Sequence, residues 1–466
     1  EWAKQAATSA NAIKSIAQFT NIGEALEKAA YDAESSSQDF QKHIILLTDG
    51  MVDIHRDPQI NQQERQRILS DILPMYQQAG FTLHTIALSD NADQQLMSKL
   101  ALGTDGKATV ANTAEELMSV FLQVFNQAVP AEELPFDGNS FVTDSSIEEF
   151  TALIFREPNS PATMLVAPGE GKYTEDTNDS RVMWHHTEKY DLVTVKQPLE
   201  GEWKVIADVA PESQITVVSD LSLAVKSIPT NISINDVITT SLALREENNI
   251  VSRTEFLRLL DIDISITSDK GKSWRQDLSD DSAPSKGVYS VILDEFEEEG
   301  QYTLTFSVDG TTFKRQFTHD VSVRQPFAIE IDKQEAGASD AHAKFVVQVI
   351  PQLQTLNDDK VDVVGKLKKP SGTSHIVTFT ATDDGNWAFT LNPDEKGKYM
   401  LAVRVTAMTD SGDTVDFTPP VLTLLNQVDD SVFNQPLESE DKEELPISEP
   451  KEEKEVAVAV EPKKGR

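Results

Sequence analysis

The sequence predicts a multidomain chain: an α/β unit with a parallel sheet, then all-β immunoglobulin-like sandwiches, then an acidic tail expected to be disordered. Three observations predict this. Residues 1 to 128 alternate helical and strand text, the pattern of a parallel sheet with helices on both sides. From Pro130 onward, short runs rich in Val, Thr, Ile, Phe and Tyr alternate with Gly, Pro, Asn and Asp turns, the pattern of antiparallel sandwiches. From residue 428 the apolar periodicity stops, and acidic residues, Pro and small residues take over. Such a segment buries too little surface to offset its chain entropy.

The α/β elements follow in order. Within residues 14–32, Ile22, Ala25, Leu26 and Ala29 fall at i, i+3, i+4 and i+7, one face of a helix. Residues 43–50, HIILLTDG, are a continuous apolar run closed by Asp-Gly and read as a strand buried on both faces. Residues 60–79 predict a long polar helix, kinked at Pro74 and stopped by Gly80. A strand over 81–89, a short helix over 94–102, a strand over 107–111 and an apolar-faced closing helix over 113–129 complete the unit.

Pro130 and Pro135 punctuate a linker. The β half then divides into modules at 136–222, 223–325 and 326–427, with the tail at 428–466. Residues 287–306, GVYSVILDEFEEEGQYTLTF, repeat in outline at 385–403, GNWAFTLNPDEKGKYMLAV. Each shows Gly-x-aromatic, an alternating strand, an acidic turn, Gly-x-Tyr and a second alternating strand. The pattern suggests one β-hairpin with a fixed Tyr, Tyr302 or Tyr399, built twice a module apart. GEWKVIADV at 201–209 is a looser relative.

Composition narrows the function. At 466 residues the chain has room for three or four domains. A net charge of −36 argues against nucleic acid and against anionic lipid as partners, because both are bound through clustered Lys and Arg. The absence of cysteine removes disulfides, thiolate nucleophiles and Cys-based zinc sites. No apolar run reaches the ~18 residues of a membrane span, and no signal peptide is visible. The chain starts at Glu1 rather than Met and reads as a fragment, so missing targeting signals carry little weight. Lys463, Lys464 and Arg466 close the acidic tail, as basic residues do on the cytoplasmic side of a membrane anchor; an anchor beyond the C-terminus is one reading and a solvated end the other. No Gly-x-Ser-x-Gly, His-Glu-x-x-His or glycine-rich phosphate loop occurs, so no enzyme is expected.

TNIGEAL (Thr20–Leu26) and IILLTDG (Ile44–Gly50) stand in order about 24 residues apart with helical text between them. Together with FTLHTIALSDNADQQLMSKLA and ATVANTAEELMSVFLQVF, they resemble the von Willebrand factor A domain family over roughly residues 1–129. That resemblance implies a metal-ion-dependent adhesion site, with a divalent cation (Mg²⁺, or Mn²⁺ or Ca²⁺) held by an Asp-x-Ser-x-Ser loop, a Thr and an Asp. Oxygen ligands and retained waters suit Mg²⁺ and leave a position open for a partner's carboxylate. Thr20 matches the Thr and Asp49 the Asp. No Asp-x-Ser-x-Ser precedes Thr20, so the resemblance implies a partial domain, lacking its first strands and first loop, that binds metal weakly as it stands. The β half, notably residues 279–317, resembles modules of bacterial surface proteins and of secreted chloride-channel-regulator-like proteins. The whole resembles Gram-negative envelope proteins with C-terminal β-modules.

The readings that follow are a periplasmic or extracellular, membrane-anchored envelope protein that binds a protein carboxylate through the metal site, with sandwiches as spacers. The alternatives are a cytoplasmic subunit assisting an ATPase of chelatase or cofactor-insertion type, and a glycan-binding surface protein. Plainer roles stand beside the sharp ones. Asn21 and Glu24 make a helix capping box next to Thr20. Asp49 is also a turn residue, and Asp53 beside it reads as solvated. His185 and His186 point to opposite faces of a strand, are poorly placed to share one metal, and read as surface or packing residues. Asp280-Asp281 and Asp383-Asp384-Gly385 read as solvated acidic turns rather than Ca²⁺ loops, and Trp203, Trp274 and Trp387 as core packing rather than sugar platforms.

Overall fold

The computed structural model describes Thr8, Ala12 and residues 19–426, apart from 32, 34–40, 90, 157–159, 248, 280–282, 335–343, 354–355, 357–359, 383, 410–411 and 413. Asp280, Asp281, Asp383 and the tail from 428 lie outside the described residues.

Helix α1 (Ile22–Ala29) starts where the sequence places it, because the Asn21 side chain accepts from the Glu24 backbone N–H. Its Ile22 and Leu26 are buried. Three parallel strands follow in the order β1 (Lys42–Thr48), β2 (Phe81–Ala87), β3 (Ala108–Val110). Between β1 and β2 the long polar helix is interrupted: α2 (Pro58–Arg67) passes through a π turn at Ile68–Ile72 into α3 (Leu73–Gln78). Pro74 has no N–H to give Ser70 and crowds its carbonyl, and the backbone answers by widening one turn earlier. Helices α4 (Gln94–Leu102) and α5 (Ala114–Ala128) are capped by Asp93 and Thr113, whose side chains accept from Leu96 and Glu116 backbone N–H groups.

One expectation for this unit fails. The continuous apolar run of β1 predicts burial on both faces, yet the strand is half-buried and Leu47 is 40% exposed. Among the described residues β1 pairs only with β2. Its apolar run reports what the strand can bury, not what covers it.

The segment read as a linker holds a strand, β4 (Glu132–Leu134), and that strand joins two modules. It pairs with Gln214–Ser219 on one side and touches Lys314–Arg324 on the other, so strands of the first and second sandwiches merge into one ten-stranded sheet. Arg315, with no exposed surface, fastens the seam. Its guanidinium donates to Asp144 (2.7 Å), Ser146 (2.8 Å), Ser219 (3.1 Å), the Leu221 carbonyl (2.9 Å) and the Lys314 carbonyl (2.8 Å). Burial would push the Asp144 carboxyl up, but its bonds to Arg315 and Ser146 overcome this and hold it below the usual carboxylate range.

The repeat is real, but its geometry is not a hairpin. Tyr289–Leu293 and Gly300–Asp309 lie in different sheets, as do Trp387–Leu391 and Gly397–Met408. Each repeat is an arch that carries the chain from one sheet of a sandwich to the other. The third sandwich closes on Phe345, Val347, Trp387 and Tyr399. The fold class therefore stands as read: a small α/β unit with a parallel sheet, then antiparallel sheets.

The α/β unit is docked on the β half by polar contacts. Asp105 accepts from the Thr230 and Asn231 N–H groups, both at 3.1 Å. Lys107 pairs with Asp320 at 2.8 Å. Lys99 donates to the Asp384 carbonyl (2.6 Å) and to Asn386 (2.8 Å) of the third sandwich. Asp384 is thus a docking residue rather than a freely solvated turn.

Candidate functional site

Open α/β sheets bind ligands beyond the carboxyl ends of their strands, and the two sequence-matched residues lie there. Thr20 sits just before α1 and Asp49 just after β1. The Thr20 carbonyl accepts from the Asp53 N–H at 3.0 Å, so the chain leading into α1 is bridged to the loop that follows Asp49. A methyl group added at Gly50 would sit 3.5 Å from the Thr20 Oγ1. The Thr20 hydroxyl therefore faces the Asp49-Gly50 turn, and both loops share one rim. Asp49 is exposed.

Two residues that hold this rim were not singled out for the purpose. Ser89, just after β2, donates its hydroxyl to the Asp49 carbonyl at 3.0 Å. Asp53 accepts from the Asn61 side chain at 3.1 Å, and Asn61 also receives the Ile54 and His55 N–H groups at 2.9 Å. Asp53 is thus the clasp of the loop rather than only a solvated side chain. Ser89 could have been found by position, since it follows its strand as Asp49 follows β1. The Asn61 clasp could not, because it reaches across a loop of eight residues.

The donor chemistry of the rim suits a hard divalent cation in kind: one hydroxyl and one carboxylate, both oxygen. Among the described residues no cluster of three or more His, Cys, Asp or Glu side chains is arranged to hold a metal ion. Thr20 and Asp49 would supply two of the six oxygens that Mg²⁺ takes, and the chain before Thr20 offers no Asp-x-Ser-x-Ser.

The other residues read as ordinary prove structural. Trp203 and Trp387 are buried in sandwich cores, and Trp274 packs against one. His186 binds the buried Asp191 at 2.7 Å through Nδ1, and Trp184 donates to the same carboxylate at 3.0 Å. On the α/β unit, His84 is buried beside His43. Burial, then the neighbouring His43 and Lys107, push its pKa down to about 4. Its Nδ1 accepts the Lys107 N–H, so the proton sits on Nε2 and points to His43 at 3.1 Å. That tautomer leaves no lone pair on His84 for a metal.

No curated protein matches the chain in a sequence comparison. Among solved structures, a DUF4785 family protein from Legionella pneumophila is 12% identical, covers 60% of this chain and 84% of its own, and superposes with a TM-score of 0.31. A von Willebrand factor type A structure from Catenulispora acidiphila is 14% identical over 49% of this chain and 43% of its own, with a TM-score of 0.19. A tetra-tandem repeat from the extending region of a large adhesion protein is 13% identical over 63% of this chain and 73% of its own, with a TM-score of 0.18. The family model of the von Willebrand factor type A domain matches residues 3–123, the stretch that contains the rim and all three parallel strands. By that match and by its TNIGEAL and LLTDG loops, the N-terminal part of this chain is similar to von Willebrand factor type A domains over residues 3–123.

Proposed function

We propose that this chain is a non-enzymatic protein-binding component of the cell envelope. Its A-type domain captures a carboxylate of a partner protein through a divalent cation, Mg²⁺ foremost, and its sandwiches hold that domain out as a spacer. The observation that carries the reading is the Thr20 hydroxyl facing the Asp49-Gly50 turn on the carboxyl rim of the sheet. A domain type that generally serves protein interaction fits it. A bound cation there would act as a Lewis acid toward an incoming carboxylate, while Thr20 and Asp49 hold it and Ser89 and Asp53 keep the two loops together. With two protein oxygens this chain binds the ion weakly.

The test uses Mn²⁺ as a paramagnetic probe of the whole chain. Selective broadening of the Thr20, Gly50 and Ser89 amide signals, lost in Asp49→Ala and competed by Mg²⁺, is the expected result. Broadening spread over the acidic surface and unchanged by Asp49→Ala would sink the metal role.

A further inference from the structure

The merged sheet carries a feature that the rim does not use. On the face turned away from the sandwich cores, where α5 also sits, one residue from each of six neighbouring strands falls in register: Ser307, Gln316, Glu133, Thr216, Thr151 and Thr194. All six are half-buried. At ~4.8 Å between strands the row is roughly 24 Å long. It exists only because β4 joins the two sandwiches, since Glu133 is its middle member.

The chemistry of the row is unusual in a chain of net charge −36. Five of its six members are uncharged hydroxyl or amide side chains, each able to donate and to accept. Thr151 and Thr194 bond each other at 2.9 Å, Thr216 donates to the Thr151 carbonyl at 3.4 Å and Gln316 to Thr318 at 3.4 Å, which leaves each of them part of its capacity. The carboxyl of the sixth, Glu133, receives no hydrogen bond or ion pair among the described residues, and burial pushes it up to about 7. Near neutrality it is therefore a second donor-acceptor group rather than a fixed charge. A half-buried polar group without a partner is costly unless a ligand or water satisfies it.

The Gln316–Glu133 stretch of the row opens into a cleft of about 660 Å³ between the sheet and α5, which Lys107, Glu212 and Asp320 also line. Gln123, Asn126 and Gln214 stand on its walls, and Glu133 and Gln316 on its floor. Asn126 and Gln214 bond each other at 2.8 Å, whereas Gln123 has no partner among the described residues.

We infer that this row and cleft form a binding site for an extended, neutral, hydroxyl-rich polymer, an unbranched oligosaccharide lying across the strands. A pyranose chain repeats at close to the strand spacing, so successive rings can meet successive side chains. Amide and hydroxyl groups that both donate and accept match sugar hydroxyls, which do the same. An anion is disfavoured by the acidic surface, and an apolar ligand would strand the row's polar groups. The row lies on a sheet face rather than at a strand edge, so an added peptide strand would find no free backbone groups there.

The test applies saturation-transfer NMR and titration calorimetry to the full chain, with hexamers of β1,4-glucan, α1,4-glucan, β1,4-mannan and β1,4-N-acetylglucosamine. Binding of at least one hexamer is expected, with affinity rising from dimer to hexamer. Gln316→Ala and Thr151→Ala should each weaken it at least five-fold. Thr239→Ala, an exposed threonine in another sheet, should leave it unchanged, and EDTA should have no effect, which separates this site from the cation rim. Absence of binding by all four hexamers, loss of length dependence, or equal affinity of the row variants and wild type would overturn the assignment.

Discussion

The Tyr302 hydroxyl donates to the carbonyl oxygen of Glu298, four residues back, at 2.9 Å. Tyr399 does the same to Glu395 at 3.1 Å, and the Trp203 indole N–H does so to Leu199 at 2.9 Å. Each aromatic stands two residues after a glycine: Gly300, Gly397 and Gly201. Gly201 and Gly397 adopt φ of 128° and 126°, and a side chain at either would press a proline, Pro168 or Pro370, at 3.1 Å. Three modules thus turn the same corner, and in the first a tryptophan takes the place of the tyrosine.

Removing the corner hydroxyls should therefore cost unequal amounts. Tyr302→Phe loses one hydrogen bond, worth about 1 kcal/mol. Tyr399→Phe should cost more, about 2–3 kcal/mol, because its oxygen also accepts the Asp394 and Glu395 N–H groups, which would be left unmet. Calorimetry of the two variants should show the larger drop in unfolding temperature for Tyr399→Phe.

The seam of the merged sheet depends on a buried pair. Arg315→Met leaves Asp144 buried without its cation and should destabilise by roughly 3–5 kcal/mol. Replacing Asp144 as well, as in Arg315→Met with Asp144→Leu, should recover part of that loss, because Glu132, 3.4 Å from Arg315, still loses its cation. Urea unfolding of the single and double variants measures this, and equal destabilisation by both would contradict it.

Stability should fall in mild acid through His84. Its pKa is depressed in the folded protein, so below the ordinary value of 6.5 the unfolded chain binds a proton that the folded one refuses. The loss begins near pH 6.5, grows as pH falls, and is complete near pH 4, amounting to as much as ~3 kcal/mol. His84→Gln should flatten that part of the stability-against-pH curve.

Glu133 should act in the opposite direction. Its raised pKa means the folded chain holds a proton between pH 4.5 and about 7 that the unfolded chain releases. Its contribution is therefore full below pH 4.5 and is lost as pH rises to about 7, by roughly 3 kcal/mol. Glu133→Gln should raise the unfolding temperature at pH 8 relative to wild type and change it little at pH 4.5. An identical difference at both pH values would mean that Glu133 is not held neutral by burial.

Much of the α/β unit was legible because its signals are local. Asn21, Asp93 and Thr113 cap helices within a few residues of themselves. Helix α4 falls where its apolar spacing puts it. Thr20 and Asp49 were legible because TNIGEAL and IILLTDG resemble the loops of a known family. The partners that steady them were harder to read: Ser89 reaches Asp49 across 40 residues, and nothing in the text near Ser89 announces that contact.

Sequence alone determined where strands and helices form, which face of each is apolar, and that one module design recurs. Those properties follow from periodicity and from turn residues, both set by near neighbours. Only the tertiary structure decided that β1 is half-buried, that the repeated corner is an arch between sheets, and that three residues between two prolines weld two sandwiches together. Strand pairing is chosen between segments far apart in the chain, and an alternating pattern fits a hairpin partner and a distant partner equally well.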